Sequence, residues 1–176
     1  MNNFATDFAK SKKNFFDIVR PCFLKTFGGE FLQTEGIDHE VARALDIQAG
    51  IDALWIAKPN IVYTIALRVQ ETQCYKTFTV RKNRSTGATT EYEKIANAIK
   101  NETTYPHLTL QAYVKNDRVI GGAWTRTKSI YECIRIGIFS QIPNSQDGNI
   151  FLAVKWDSIQ KLGHDISFFN DEPITH

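Results

Sequence analysis

Asp52, Arg68 and Gln70 are the residues of this chain whose types and spacing could do chemistry together. Asp52 follows Gly50 and Ile51 and leads straight into the apolar run Ala53–Leu54–Trp55–Ile56. A carboxylate at the mouth of an apolar strand is costly to bury unless it is paired or holds a metal. After the break at Lys58–Pro59–Asn60 a second segment alternates. Ile61, Tyr63, Ile65, Leu67 and Val69 face one way, and Val62, Thr64, Ala66, Arg68 and Gln70 the other. If the two strands pair, one acid, one guanidinium and one amide gather at the edge of a sheet.

A second group is basic. Lys76, Arg81, Lys82 and Arg84 fall in a stretch with no acid, followed by Ser85, Thr86 and Gly87. This loop joins a strand to a helix N-terminus, where Lys/Arg, Ser/Thr and free backbone N–H groups take up phosphate. A solvated turn is the plain alternative. Arg118, Arg126 and Lys128 form a further basic set. The four histidines, His39, His107, His164 and His176, have no ligand spacing and read as structural or exposed. No glycine-rich phosphate loop, Ser-His-Asp set or dinucleotide fingerprint is present.

The elements that must position these residues follow from periodicity. Residues 3–20 read as a helix limited by Pro21, with Phe4, Phe8, Phe15, Ile18 and Val19 on its apolar side. GEFLQTE is a short strand or an irregular arm. Asp38 caps a short helix that Gly50 ends. Strands are expected at 52–57, 61–70 and 75–81, and a helix at 91–100 capped by Thr89 or Thr90. Leu108–Val114 and Arg118–Trp124 form a hairpin about Asn116–Asp117. A helix over 129–138, a loop at 143–149, a strand at 150–156 and a short helix at 157–162 complete the order. This succession is α/β (α+β), with a central mixed sheet flanked by helices.

The chain of 176 residues suits one domain, with its core over about 3–165 and a polar tail at 166–176. The net charge of +2, from 21 basic and 19 acidic residues, is too small by itself to argue nucleic-acid binding. No apolar run approaches the ~20 residues of a membrane span, and the N-terminus lacks the apolar stretch of a secretory signal. Cys22, Cys74 and Cys133 match no zinc spacing or disulfide framework and read as reduced thiols of a cytoplasmic protein.

The segment LDIQAGIDALWI, followed by the alternating strand, resembles the PD-(D/E)xK nuclease superfamily, also called restriction-endonuclease-like. A preceding helix, a helix after the third strand, and the closing FLAVKWDSIQKLG extend the resemblance over about 3–165. In that family one Asp opens a strand, and the next strand supplies Glu/Asp-x-Lys on one face. The acids hold Mg²⁺, and the lysine positions or activates a water. Asp52 matches the first acid. The second strand departs from the pattern: with Arg68 in the lysine place, Ala66 stands where the acid belongs, and with Gln70 there, Arg68 does. The resemblance therefore implies a second carboxylate from Glu40 or Asp46, or migrated ligands from Glu91, Glu93 or Lys94.

What the resemblance implies is a metal-dependent nuclease acting on DNA phosphodiester bonds in a restriction, repair or mobile-element setting. Asp52, with Glu40 or Asp46, would hold Mg²⁺ or Mn²⁺. Arg68 and Gln70 would orient the phosphate or water. Lys76, Arg81, Lys82, Arg84, Ser85 and Thr86 would grip the backbone. A homodimer follows if both strands of a duplex are cut. One alternative is a catalytically inactive relative that binds nucleic acid or a protein partner. Another is an unrelated α+β regulator acting through protein contacts.

Overall fold

The first described element is a helix, α1 (residues 10–27), whose turn Phe15–Val19 is π-helical. The computed structural model describes residues 10–34, 40–57, 61–83, 89–144 and 148–171, without the side chains of Arg43, Asp46 and Gln48. The helix does not stop at Pro21 as expected. It runs on to Phe27, with Pro21 in the first turn of the α-helical segment Arg20–Phe27. The π turn before it already breaks the regular i→i−4 ladder, which is where a missing N–H does least harm.

Gly28 and Gly29 then turn the chain with φ of 69° and 85°. A side chain at Gly29 would collide with the Ile56 carbonyl and the Trp55 indole, so this turn accepts only glycine. The strands are β1 (Glu30–Gln33), β2 (Ala53–Ala57), β3 (Ile61–Glu71), β4 (Thr77–Arg81), β5 (Leu108–Lys115), β6 (Arg118–Arg126), β7 (Ser140–Pro143), β8 (Ile150–Lys155) and β9 (Ile166–Phe169). Between them lie α2 (residues 40–48, ending in a π turn), α3 (Glu91–Lys100), α4 (Thr127–Arg135) and α5 (Trp156–Lys161). The Asp38 cap expected for α2 lies outside the described residues.

The protein is mixed α/β. A central six-stranded sheet in the order β1-β2-β3-β5-β6-β9 is flanked by helices. Only the β3–β5 pair is parallel; the remaining pairs are antiparallel. Three expectations are corrected here. The strand at 75–81 leaves this sheet: β4 joins β8 and β7 in a separate three-stranded sheet. Residues 166–169, expected in a polar tail, form the edge strand β9, with Phe169 buried against Gly122. The helix expected over 129–138 starts earlier and ends at Arg135.

The two faces of the six-stranded sheet are covered differently. On the first, α1 packs Phe15, Val19, Cys22 and Phe23 onto Trp55, Ile65, Leu110 and Phe169. On the second, the small sheet and α3, α4 and α5 bring Phe78, Val154, Ile95, Ile130 and Ile159 over Tyr113 and Ala123. That second face also carries Thr109 and Gln111, both buried.

Candidate functional site

Asp52 is fixed by its backbone before its side chain does anything. Gly50, at φ 68°, turns the chain out of α2, and Ile51 N–H bonds the Leu45 carbonyl at 3.0 Å. Asp52 N–H then donates to Ile65 O at 2.9 Å, and its own carbonyl accepts Thr34 N–H at 3.2 Å. The pairing Ala53↔Ile65 sets Asp52 level with Ala66, on the face that carries Arg68 and Gln70. Its Oδ2 accepts the backbone N–H of Leu67 at 2.6 Å, a short charge-assisted bond. The half-buried carboxylate thus fills the ladder position that β2 leaves open by starting at Ala53.

Arg68 is the next side chain along that face. Its guanidinium forms an ion pair with Glu91, and both groups are about three-quarters withdrawn from water, at 23% and 22% exposure. Glu91 opens α3, where the helix dipole favours an acid. Thr90 and Glu93 close a reciprocal capping box behind it. Glu91 Oε2 also accepts Arg81 N–H at 3.4 Å, so one carboxylate ties both sheets. The Phe151 ring meets two cations, Arg68 at 5.7 Å and Arg81 at 5.4 Å from its centroid. Tyr131 donates to the Glu91 carbonyl at 3.3 Å; burial, and then the negative charge of Glu91, hold its hydroxyl well above the usual range. One turn beyond Glu91, Lys94 Nζ donates to Ile47 O at 2.5 Å, which draws the end of α2 to α3.

The remaining expected residues divide. Gln70 lies on the Arg68 face, opposite Tyr113. Glu40 is exposed in the first turn of α2. The Asp46 side chain, and Arg84, Ser85 and Thr86 entirely, lie outside the described residues. Lys82 is exposed, with its N–H on Ile150 O at 2.8 Å. Lys76 precedes β4 while Arg81 ends it, so they are about 17 Å apart at the strand rise and belong to opposite ends of the small sheet. Among the described residues no group of three or more His, Cys, Asp or Glu side chains gathers around one point.

Two groups were missed in the sequence. Thr79, Gln111, Thr77 and Tyr113 join the two sheets without any strand pairing. Tyr113 Oη stands 2.9 Å from Thr77 Oγ1, and Gln111 Oε1 accepts Thr79 N–H at 3.3 Å and Thr79 Oγ1–H at 3.1 Å. The free edge of β4 is thereby capped at Thr77, Thr79 and Arg81 by side chains from β5 and α3. The available signal was the alternation Leu108–Thr–Leu–Gln–Ala–Tyr–Val114, which reads as a half-exposed strand although β5 is buried on both faces. The second group is Thr64 with His107, whose contact across β3 and the start of β5 has no local sequence signal.

No family model, no curated protein and no solved structure matches the chain.

Proposed function

We propose that the protein is a metal-dependent nuclease of the PD-(D/E)xK type acting on DNA, with Glu91 of α3 supplying the acid that β3 lacks. The observation that carries this reading is that neighbouring residues of β3 each hold a carboxylate. Asp52 binds the Leu67 N–H, and Glu91 binds the Arg68 side chain. Both are hard oxygen donors of the kind Mg²⁺ or Mn²⁺ takes. Lys94, one helical turn from Glu91, stands in for the lysine of the family pattern.

Bound at Asp52 and Glu91, the metal would polarise the scissile phosphate and sharpen a water as nucleophile. The chain's own residues do the rest. The planar guanidinium of Arg68 matches a phosphate as well as a carboxylate. Gln70 offers an amide on the same face, and Arg81 and Lys82 present positive charge at the rim for the neighbouring backbone. A duplex cut on both strands would engage two copies of the chain.

A second reading has its own observation. Glu91 already serves Arg68 and the Arg81 N–H, which is what a structural cap for the β4 edge would do. On that reading the fold binds nucleic acid without cutting it. The test is cleavage of supercoiled, linear and single-stranded DNA with Mg²⁺ or Mn²⁺ at low salt, with a gel shift in Ca²⁺. We expect cutting by the wild type and its loss in Asp52→Ala and Glu91→Gln, by at least the ~10–100-fold that outer-shell partners of a metal typically cost. Binding without cutting would select the second reading. Cutting that survives Glu91→Gln would remove Glu91 from the site.

A further inference from the structure

Glu102 sits where two local rules disfavour it. It follows α3 with φ 54°, a left-handed conformation that usually falls to Gly or Asn at this position. The geometry there is that of a closed helix end: Asn101 N–H bonds Asn97 O and Thr103 N–H bonds Ala98 O, each at 2.9 Å. Its carboxylate also lies at the negative end of the helix dipole, the wrong end for an acid. Violations of this kind concentrate where function requires them.

The same residue lines an open cavity of about 540 Å³ with Thr64, Thr103, Thr104, Tyr105 and His107. The imidazole there is oriented. His107 N–H donates to Thr64 Oγ1 at 2.9 Å, and its Nδ1 lies 3.0 Å from that hydroxyl and 3.4 Å from the Thr64 N–H. With Nδ1 accepting from Thr64 N–H, the neutral ring carries its proton on Nε2. The cavity wall therefore offers an acceptor carboxylate, an Nε2–H donor and hydroxyls that serve as either. Among the described residues no lysine or arginine lines it, so there a phosphate would meet the Glu102 carboxylate with no such cation beside it.

Its position links it to the proposed site. Thr64 shares the face of Ala66 and Arg68 and is level with Leu54, the next residue on that face of β2 after Asp52. Two strand residues span about 6.8 Å, and stacked bases rise about 3.4 Å each. A nucleic-acid strand held at Asp52 and Arg68 and running along β3 toward Thr64 would bring a base about two positions away to this cavity.

We propose that the Thr64–Glu102–His107 cavity binds an amino-bearing nucleobase flanking the scissile phosphate. Glu102 accepts from the exocyclic amino group, as carboxylates do with cytosine N4, and His107 donates to a ring nitrogen or carbonyl. Thymine, which has no amino group, is refused. The proposal rests on the nuclease reading for its position, but not for its ligand chemistry.

The test uses nucleosides, which cannot be cut. Cytidine and thymidine are titrated into the ¹⁵N-labelled full chain. Cytidine is expected to shift the amides of Thr64 and residues 102–107, and thymidine is not. Glu102→Gln is expected to weaken the cytidine response several-fold, because the amide oxygen still accepts but without the charge. Glu102→Gly should abolish it while raising the melting temperature, which excludes unfolding as the cause. Equal shifts with thymidine, no shift with cytidine, or the same shifts with lysine amide would each overturn the proposal. DNA cleavage without a cytidine response sinks the base pocket alone. A cytidine response in a chain that never cuts sinks the nuclease reading alone.

Discussion

The two faces of the six-stranded sheet solve the same burial problem with different mixtures of side chains. The face under α1 is closed by aromatic rings in edge-to-face contact: Phe23 meets Phe31 at 5.1 Å, Trp55 at 5.1 Å and Phe169 at 5.4 Å between centroids. The face under the small sheet buries Thr109, Gln111 and Tyr113 and places Asp52, Arg68 and Gln70 at its border. Apolar contact is non-directional and requires no specific partner, whereas each buried polar group must find one. Both faces have an apolar core, and the second adds buried polar groups whose partners fix position as well as area. The charged groups of interest stand at the border of that second face.

This contrast can be broken at either face. The steepest loss is expected at Phe23→Ala, because Phe23 is fully buried and joins α1 to β1, β2 and β9. Denaturant unfolding should show a loss of about 3–5 kcal/mol, a large share of the ~5–15 kcal/mol that holds a domain together. A loss under 1 kcal/mol would mean that the ring cluster does not carry this face.

A smaller effect is expected at alkaline pH. Burial, reinforced by a hydrogen bond to Asp171, pushes the Cys22 thiol from 9.0 up to about 12. The folded chain keeps a proton that the unfolded chain has released. Stability contributed below about pH 9 is therefore lost as pH rises toward 12. Melting temperatures measured from pH 7 to 11 should fall, and Cys22→Ala should make the fall shallower. Burial also raises the Tyr113 and Tyr131 hydroxyls on the other face. An alkaline slope that Cys22→Ala leaves untouched would assign the loss instead to those tyrosines or to Cys133, whose thiol burial also pushes up.

The mildest effect is expected at Gln111→Leu. The substitution strips the acceptor from Thr79 N–H and Oγ1–H but also removes an Nε2 that is fully buried without an acceptor. The first change costs about 1–3 kcal/mol and the second returns part of it. Calorimetry should therefore place this variant well above Phe23→Ala. A loss equal to that of Phe23→Ala would show that the polar seam carries as much stability as the aromatic one.

Local signals in the sequence gave the elements they govern. A threonine cap at 89 or 90 marked α3, and the structure places it at Thr90, closed by Glu93. Asn116 and Asp117, both left-handed at 52° and 57°, marked the β5–β6 hairpin. The alternation of β3 placed Asp52 beside the Arg68 face, because a tight hairpin leaves little choice of register. Tertiary decisions were not legible. β4 alternates like its predecessor, yet it is buried on both faces in another sheet. β7 is exposed and ends in Pro143, so it has no strand signature. The Arg68–Glu91 pair joins β3 to the first turn of α3, and only the packing of that helix brings Glu91 to Arg68 rather than to solvent.

The partnership of β4 with β8 has a consequence in time. Thr77 pairs with Lys155 and Arg81 with Phe151, so β4 emerges from the ribosome long before its partner exists. At about 5–20 residues per second of synthesis, Phe78 and Val80 wait several seconds for that ladder. Until Gln111 and Tyr113 follow, β4 is a hydrophobic, β-prone segment of a nascent chain, open to any strand that reaches it. The side chains that later seal its other edge, Tyr113, Gln111 and Glu91, are all made before β8. They can hold the strand in single file until its true neighbour arrives, which gives the buried polar row a duty during folding as well as after it.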